Sequence, residues 1–265
     1  MAKIRLDQLL FDKGYAESRE KAKAIIMSGE VFIAGQRADK PGLQVSPDTE
    51  PDVRGKGLPF VSRGGYKLDK ALKVFPIDPQ GCVCIDCGAS TGGFTDVLLQ
   101  HGAAKVYSVD VGYGQLAWKL RNDARVVNLE RTNLRYVTEE QIPEKMDLAV
   151  CDVSFISLKL VIPAVVPLLK DGAKVMCLIK PQFEAGRELV GKKGVVRDAA
   201  VHEQVVRDIT AFMPSIGLSV RGLDFSPIRG PEGNIEFLLY MEKSAEPSCE
   251  ADVAALVSRA HEELI

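Results

Sequence analysis

The sequence predicts an α/β protein: a mostly parallel sheet with helices on both faces, preceded by a small α+β unit. Three observations carry that prediction. After Pro79, short apolar runs alternate with amphipathic segments, the pattern of strands buried on both faces. Before about residue 50, two short helical repeats lead into strand-like runs. Between these parts lies a stretch rich in glycine and in one sign of charge. The composition suits a folded chain, since 46% of the 265 residues are apolar and 26% are charged. That length allows one large domain or a large and a small one. The net charge of −2 shows no overall basic excess, so any nucleic-acid surface must be local.

In the first unit, Leu6, Leu9 and Leu10 fall at i, i+3 and i+4, and Gly14 is placed to close that helix. Ser18 is an N-cap for a second helix in which Ala22, Ile25 and Ile26 repeat the spacing, and Gly29 ends it. The run E-V-F-I-A-G-Q-R-A then predicts a hairpin turning at Ala34 and Gly35. Arg19 and Lys23 are i, i+4 neighbours with Lys21 beside them, while Lys3 and Arg5 precede the first helix. Such a face can contact phosphates without a basic composition, and charge alone leaves a solvated helix face as the alternative.

From Arg54 to Lys73 six cations, Arg54, Lys56, Arg63, Lys67, Lys70 and Lys73, stand against Asp69 alone. Glycine and proline are interleaved with them, which reads as a joint lying near something anionic. Beyond it, strands are expected at Cys82–Asp86, Lys105–Val109, Val126–Leu129, Asp147–Asp152 and Lys174–Ile179. Helices are expected near Phe94–Gln100, Gln115–Arg121, Leu158–Leu169 and Asp198–Met213. Val220–Phe225 and Ile235–Glu242 have no helix between them and should pair antiparallel. Residues 242 to 263 read as an acidic amphipathic helix with Val253, Leu256, Val257 and Ala260 on one face.

Ligands of such sheets bind beyond the carboxyl ends of the strands. The first strand runs into D-C-G-A-S-T-G-G-F-T-D, where Gly88, Gly92 and Gly93 would let backbone and ligand approach closely. On that reading, Gly92→Val blocks a cofactor while leaving the fold intact. Asp110 ends the second strand, where a carboxylate can accept both hydroxyls of a ribose. A glycine loop followed by an acid serves nicotinamide and S-adenosylmethionine alike. Asp152 and Lys180 end the fourth and fifth strands, Glu236 opens the last one, and Lys67 lies just ahead of the sheet. One such residue is readily a solvated cap, but four on one edge are harder to explain that way. Cys82, Cys84 and Cys87 form C-x-C-x-x-C inside a strand, so buried thiols are expected there and no metal.

R-L-D-Q-L-L, S-R-E-K-A-K-A-I-I-M-S-G-E-V and V-F-I-A-G resemble the RNA-binding domain named after ribosomal small-subunit protein S-four. Lys67, Asp152, Lys180 and Glu236 resemble the K-D-K-E tetrad of FtsJ-type ribose 2'-O-methyltransferases. With V-S-R-G-G-Y-K-L, D-V-S-F-I-S-L, L-I-K-P-Q-F-E-A-G and G-N-I-E-F-L, the whole chain resembles the TlyA family, often labelled hemolysins. The resemblance implies a Rossmann-like, seven-stranded, S-adenosylmethionine-dependent methyltransferase sheet. It places an S-four-type domain at 1–53, a basic linker at 54–66, a methyltransferase domain at 67–243 and an acidic helix at 244–265. It implies ribose methylation of ribosomal RNA at cytidine, with ribosomal RNA or a ribosomal subunit as partner. Lys67, Asp152, Lys180 and Glu236 would be catalytic. The cofactor would lie against Gly88, Ala89, Ser90, Gly92, Gly93, Phe94, Asp110, Asn133 and Asp152. Asn133 stands where many relatives carry Asp near the adenine. Lys3, Arg5, Arg19, Lys21, Lys23 and Arg63 would contact RNA.

A ribose hydroxyl must lose its proton as it attacks, and Lys180 is the candidate base. An ordinary lysine, pKa about 10.4, is protonated at pH 7; burial and a neighbouring ammonium from Lys67 would favour the neutral amine, and Asp152 and Glu236 would oppose it. Two other readings stay open. An RNA-binding protein with an inactive methyltransferase half would keep the small domain, and a membrane-active hemolysin would need an insertion segment. The longest apolar run, Leu160 to Leu169, is interrupted by Pro163 and Pro167 and is far short of the about 20 residues a span needs. With no leader-like apolar stretch at the N-terminus, a cytoplasmic protein is expected.

Overall fold

The computed structural model describes residues 3–13, 15–16, 18–53, 59–138, 140–191 and 193–264. Gly14, expected to cap the first helix, and Arg54, Gly55, Lys56 and Gly57 of the basic stretch lie outside the described residues. The chain divides into two units, Met1–Pro59 and Phe60–Ile265.

In the first unit, β1 (Ile4–Arg5) and α1 (Leu6–Asp12) are followed by α2 (Arg19–Met27), β2 (Val31–Ile33) and β3 (Gln36–Arg37). β4 (Gln44–Val45) pairs with β1, and β5 (Asp52–Val53) pairs with the other edge of β2. The Ser18 hydroxyl accepts a hydrogen bond from the Lys21 amide at 3.2 Å, so it caps α2 as its residue type predicts. The hairpin turns through Ala34 at φ 49° and Gly35 at φ 78°. Two left-handed residues in succession match the twist of the strands they join. Leu6, Leu9, Leu10, Ala22, Ile26 and Val31 make the core, which is the helical periodicity read from the sequence.

The second unit opens with α3 (Gly65–Val74), β6 (Val83–Cys87), α4 (Gly93–Gln100), β7 (Lys105–Val109), α5 (Trp118–Arg121) and β8 (Val126–Leu129). It continues through β9 (Met146–Cys151), α6 (Leu158–Val165), β10 (Leu169–Ile179), α7 (Pro181–Glu184) and α8 (Ala199–Phe212). β11 (Leu218–Phe225), β12 (Phe237–Lys243) and α9 (Val253–Leu264) complete it. The seven strands are ordered β11-β12-β10-β9-β6-β7-β8, and only β12 runs against its neighbours. From β6 the chain first builds outward through β7 and β8, then returns to the other side of β6 with β9. The order therefore reverses between β6 and β9, where the diverging loops open a crevice.

Alternate residues of the central strands supply two cores. Ile85, Cys87, Ala149, Cys151, Val175 and Cys177 face α6, α8 and α9. Cys84, Leu148, Val150, Met176 and Leu178 face α3 and α4. Cys84 and Cys87 are thus buried side chains of β6, while Cys82 is half-buried just before it.

Four expected elements come out differently. The helix expected over 242–263 forms only as Val253–Leu264, because residues 242–243 belong to β12 and Ser244 and Ser248 are hydrogen-bonded to β11. The Gln115–Arg121 helix shrinks to Trp118–Arg121, because Gln115 donates its amide to Glu130 and Ala117 donates its own to the Thr91 carbonyl. The Leu158–Leu169 helix stops at Val165 and tightens into a 3-10 turn, where Pro167 has no N–H to continue it. Leu169 already begins β10. The basic joint is in part a helix: α3 carries Lys67, Lys70 and Lys73 and buries Leu68 and Ala71. Its apolar positions are few and set among lysines and glycines, so charge and glycine content hid the helical period.

Candidate active site

The β6–α4 loop is shaped by protein packing. Asp86, at the end of β6, accepts the Thr95 amide at 2.9 Å and the Thr95 hydroxyl at 2.7 Å, which pins the start of α4 to the strand. Burial pushes the Asp86 carboxyl up to about 7, although the Thr95 bonds favour its charged form. A β-carbon at Gly88 would lie 2.8 Å from the Asp152 carbonyl oxygen, so glycine there lets the ends of β6 and β9 close up.

Gly92 and Gly93 have a different use from the one expected. Gly92 is left-handed at φ 95°, and a β-carbon on it would lie 2.3 Å from Leu120. A β-carbon on Gly93 would lie 2.3 Å from the Ser62 hydroxyl and 2.9 Å from the Gly65 amide nitrogen. The missing side chains admit neighbouring protein, and Gly93 lets the start of α3 sit against the loop. Gly92→Val would therefore strain the backbone and the packing, contrary to the fold-neutral effect expected from the sequence. Phe94 likewise packs its ring into the core.

Asp110 closes the next strand. Its two oxygens accept the Ser90 amide at 2.7 Å and the Gly112 amide at 2.6 Å. Ala89 is nearly buried and Ser90, at φ 48°, is exposed beside it. The Asp110 carbonyl accepts the Thr132 amide at 2.9 Å, which brings exposed Asn133 to the same edge. Asn133 also caps the following turn through the Arg135 amide at 3.1 Å. The guanidinium of Arg131 lies 4.0 Å from the exposed Tyr113 ring, and that of Arg135 lies 5.3 Å from exposed Tyr136.

Across the crevice, four elements deliver the tetrad. Lys67 comes from α3, Asp152 follows β9, Lys180 follows β10 and Glu236 precedes β12. Lys67 Nζ lies 2.7 Å from Glu236 Oε2 and 3.1 Å from Asp152 Oδ2, and Lys180 Nζ lies 2.5 Å from Asp152 Oδ1. The charges alternate along one chain: Glu236, Lys67, Asp152, Lys180. Lys67 is 6% exposed, Lys180 7% and Glu236 1%, so these are not solvated caps. Burial alone would pull the Lys67 ammonium down, but Asp152 and Glu236 outweigh it and hold its pKa above the ordinary value. Burial would raise the Asp152 carboxyl, but Lys67 and Lys180 outweigh that and hold it low. A second lysine of α3 fixes the helix: Lys70 donates to the Phe225 carbonyl at 2.7 Å and pairs with Asp224 at 3.2 Å.

Sequence reading missed the loop that follows Asp152. Lys180 Nζ donates to the Ser154 hydroxyl at 3.0 Å. Phe155, at φ 65°, is 91% exposed, and its ring lies 5.0 Å from that of Phe183. The Ser157 hydroxyl and the Leu158 amide both donate to Glu184, at 2.6 and 2.8 Å. An apolar residue in V-S-F-I-S reads as core, and no sequence signal marks this phenylalanine as exposed.

In the first unit, buried Asp7 gathers two of the expected RNA contacts. Arg5 donates to both of its oxygens, at 2.9 and 3.0 Å, and Arg19 adds a bond at 3.2 Å. The Arg5 bonds hold the Asp7 carboxyl down to about 2 against burial, with Arg19 assisting. Lys23 is not part of this cluster and pairs with Glu20 at 3.2 Å. Lys3, Lys21 and, in the second unit, Arg63 are exposed.

Comparison with known proteins agrees with this geometry. Residues 60–243 match the FtsJ-like methyltransferase family and residues 4–50 match the S4 domain. The 16S/23S rRNA (cytidine-2'-O)-methyltransferase TlyA of Mycobacterium tuberculosis is 45% identical over 94% of this chain and 93% of its own. Hemolysin A of Brachyspira hyodysenteriae is 41% identical over 89% of this chain and 99% of its own. A solved hemolysin-named structure from Streptococcus thermophilus superposes with a TM-score of 0.79 at 48% identity, covering 99% of this chain and 97% of that one. A methyltransferase structure from Listeria monocytogenes, 15% identical with a TM-score of 0.52 over 68% of this chain and 97% of that one, shares the fold. The chain thus belongs to the FtsJ-like methyltransferases, in the TlyA-type group that also carries an S4 domain.

Proposed function

We propose that this protein methylates a ribose 2'-hydroxyl of ribosomal RNA, at a cytidine, from S-adenosylmethionine, acting on ribosomes in the cytoplasm. The observation that carries the proposal is the buried alternating chain of Glu236, Lys67, Asp152 and Lys180 beside the β6–α4 loop. Burying four charges is costly unless they pair, and a fold has little reason to gather them at a crevice for stability alone.

The residues present fit the cofactor. Each Asp110 oxygen has one backbone N–H and keeps a second lone pair, which suits the two hydroxyls of an adenosine ribose. Asn133 lies where it can meet the base, and the Gly88–Gly93 backbone and Asp152 line the way to the tetrad. Phe94 would contribute through its backbone only. When bound, S-adenosylmethionine supplies an electrophilic methyl group on a sulfonium.

Lys67, held charged between two carboxylates, is the fixed cation of the site. Lys180 is the base that takes the ribose proton, and Asp152 holds both amines in register. Glu236 holds Lys67 in place and favours its charged form. Much of the acceleration then comes from placing the hydroxyl in line for attack. Phe155 with Phe183, and Tyr113 and Tyr136 with their arginines, offer exposed rings of the kind that receive unstacked nucleotides. The Arg5 and Arg19 pair suits phosphate oxygens.

The Brachyspira relative's name favours a second reading, a membrane-active hemolysin. Among the described residues, no helix is long and apolar enough to cross a membrane. The test is methyl transfer from labelled S-adenosylmethionine to ribosomal subunits from cells lacking this protein, with the modified nucleotide mapped. Lys180→Met is expected to slow transfer by about 10²- to 10⁴-fold while RNA affinity stays within about twofold. If the wild type produces no 2'-O-methyl ribose, the proposal is wrong.

A further inference from the structure

Lys180 is nearly buried, yet its amine reaches exposed Ser154. Its two close oxygens differ in setting. Asp152 Oδ1, 2.5 Å away, belongs to a carboxylate shared with Lys67, whereas Ser154 Oγ, 3.0 Å away, lies on the open side. A neutral amine has four tetrahedral positions at nitrogen: the Cε bond, two N–H bonds and one lone pair. With the amine held between its ion-pair partner Asp152 and the Ser154 hydroxyl, which accepts one N–H, the direction of the lone pair is no longer free.

We infer that Ser154 is a positioning residue for methyl transfer: by accepting one N–H of Lys180, it aims the amine's lone pair at the ribose hydroxyl. This rests on the reading of Lys180 as the base. In the step itself the ribose O–H bond breaks and its proton joins the Lys180 lone pair as a new N–H bond. The ribose oxygen forms a bond to the methyl carbon, and the electron pair of the methyl–sulfur bond stays on sulfur. The product ammonium has three N–H groups, directed to Asp152, Ser154 and the newly made ether oxygen. Without Ser154, one N–H lacks its acceptor and the head group can rotate about its Cδ–Cε and Cε–Nζ bonds.

The surrounding loop keeps the hydroxyl in place. Glu184, four residues after Lys180, accepts from Ser157 and from the Leu158 amide, so one carboxylate ties the Lys180 segment to the Ser154 segment. The Phe155 and Phe183 rings, tilted by 50° at 5.0 Å, add a second tie. Phe155 holds a left-handed conformation unusual for a bulky residue, which persists only where neighbours enforce it.

Full-length Ser154→Ala, Ser154→Thr and Lys180→Met should be compared with wild type in single-turnover transfer to ribosomal RNA. Cofactor affinity and melting temperature are measured in parallel. Ser154→Ala is expected to lower the maximal rate by about 10- to 100-fold, the cost of a misaimed group. Its KM for RNA and its cofactor affinity should stay within about twofold of wild type. Ser154→Thr, which restores the hydroxyl, should recover most of the rate. The inference is overturned if Ser154→Ala retains the wild-type rate, or if threonine fails to rescue while the melting temperature falls. An inactive Lys180→Met beside a fully active Ser154→Ala sinks only this inference. An active Lys180→Met sinks the base assignment as well.

Discussion

Each unit contains a carboxylate that gathers two cations, but the two clusters present their charge in opposite ways. Asp7 holds Arg5 and Arg19, whose side chains remain 46% and 42% exposed. Asp152 holds Lys67 and Lys180, whose side chains are each 8% exposed. In the first cluster the carboxylate is the foundation and the guanidinium groups reach into solvent, where they can meet another molecule's anions. In the second the amines stay inside, where a hydrogen bond or a proton shift counts for more than it does in water. Arginine suits the first task because it stays charged and forks, and lysine the second because it can give up a proton. Similar local electrostatics thus leave the cations open to another molecule in one cluster and shield them from water in the other.

The largest expected effect breaks the buried cluster. Asp152→Ala leaves Lys67 and Lys180 at the crevice without their shared partner, and removing one partner of a buried pair costs about 3–5 kcal/mol. Methyl transfer should vanish, and denaturant titration should show a second unit weakened by that amount. A variant as stable as wild type would mean that water already compensates these charges.

Acid offers a milder way to separate the clusters. Asp7 and Asp152 are both held below the ordinary carboxylate range, so neither cluster loses its anion on mild acidification. The second unit does hold a group sensitive to mild acid, His202, buried against the Val196 carbonyl and His261. Burial lowers its pKa from 6.5 to about 4. A depressed histidine pKa means the unfolded chain binds the proton first, so its contribution is complete above 6.5 and lost as pH falls to about 4. His202 alone should cost up to about 3 kcal/mol across that window, an amount read from the difference between wild type and His202→Phe. Asp86, pushed up to about 7, acts with the opposite sign and favours the acid side. An unchanged slope in His202→Phe would assign the acid response elsewhere.

The smallest effect sharpens the exposed cluster. Asp7→Asn raises the net charge by one, so a purely electrostatic account predicts tighter RNA binding. If Asp7 instead preorganises the fork, RNA affinity should fall a few-fold and stability by about 1–3 kcal/mol, as a charged acceptor is lost. Tighter binding with unchanged stability would remove the organising role.

Periodicity alone was enough to read the alternating half of the chain. Strands buried on both faces are continuous apolar runs, and Lys105–Val109 and Val126–Leu129 occur where those runs predict them. The antiparallel pairing of β11 with β12 follows from the missing crossover helix between them. Asp152, Lys180 and Glu236 were legible as residues of one edge, because strand ends deliver side chains to a known edge of such a sheet. Local signals did not reveal α3, whose Lys67 and Lys70 turn inward to Glu236 and Asp224. The use of Gly92 and Gly93 was equally hidden, since a missing side chain does not say which neighbour fills its space. Pairing within the tetrad, the exposure of Phe155, the reach of Ser154 and the grip of Asp7 on Arg5 and Arg19 all join residues that are distant in sequence or face choices of side-chain direction. Sequence by itself determined which backbone elements form and which residues stand at their ends, because period and punctuation are local properties. Only the tertiary structure decided which charges meet, which are buried and which face outward, because those depend on what packs against each side chain.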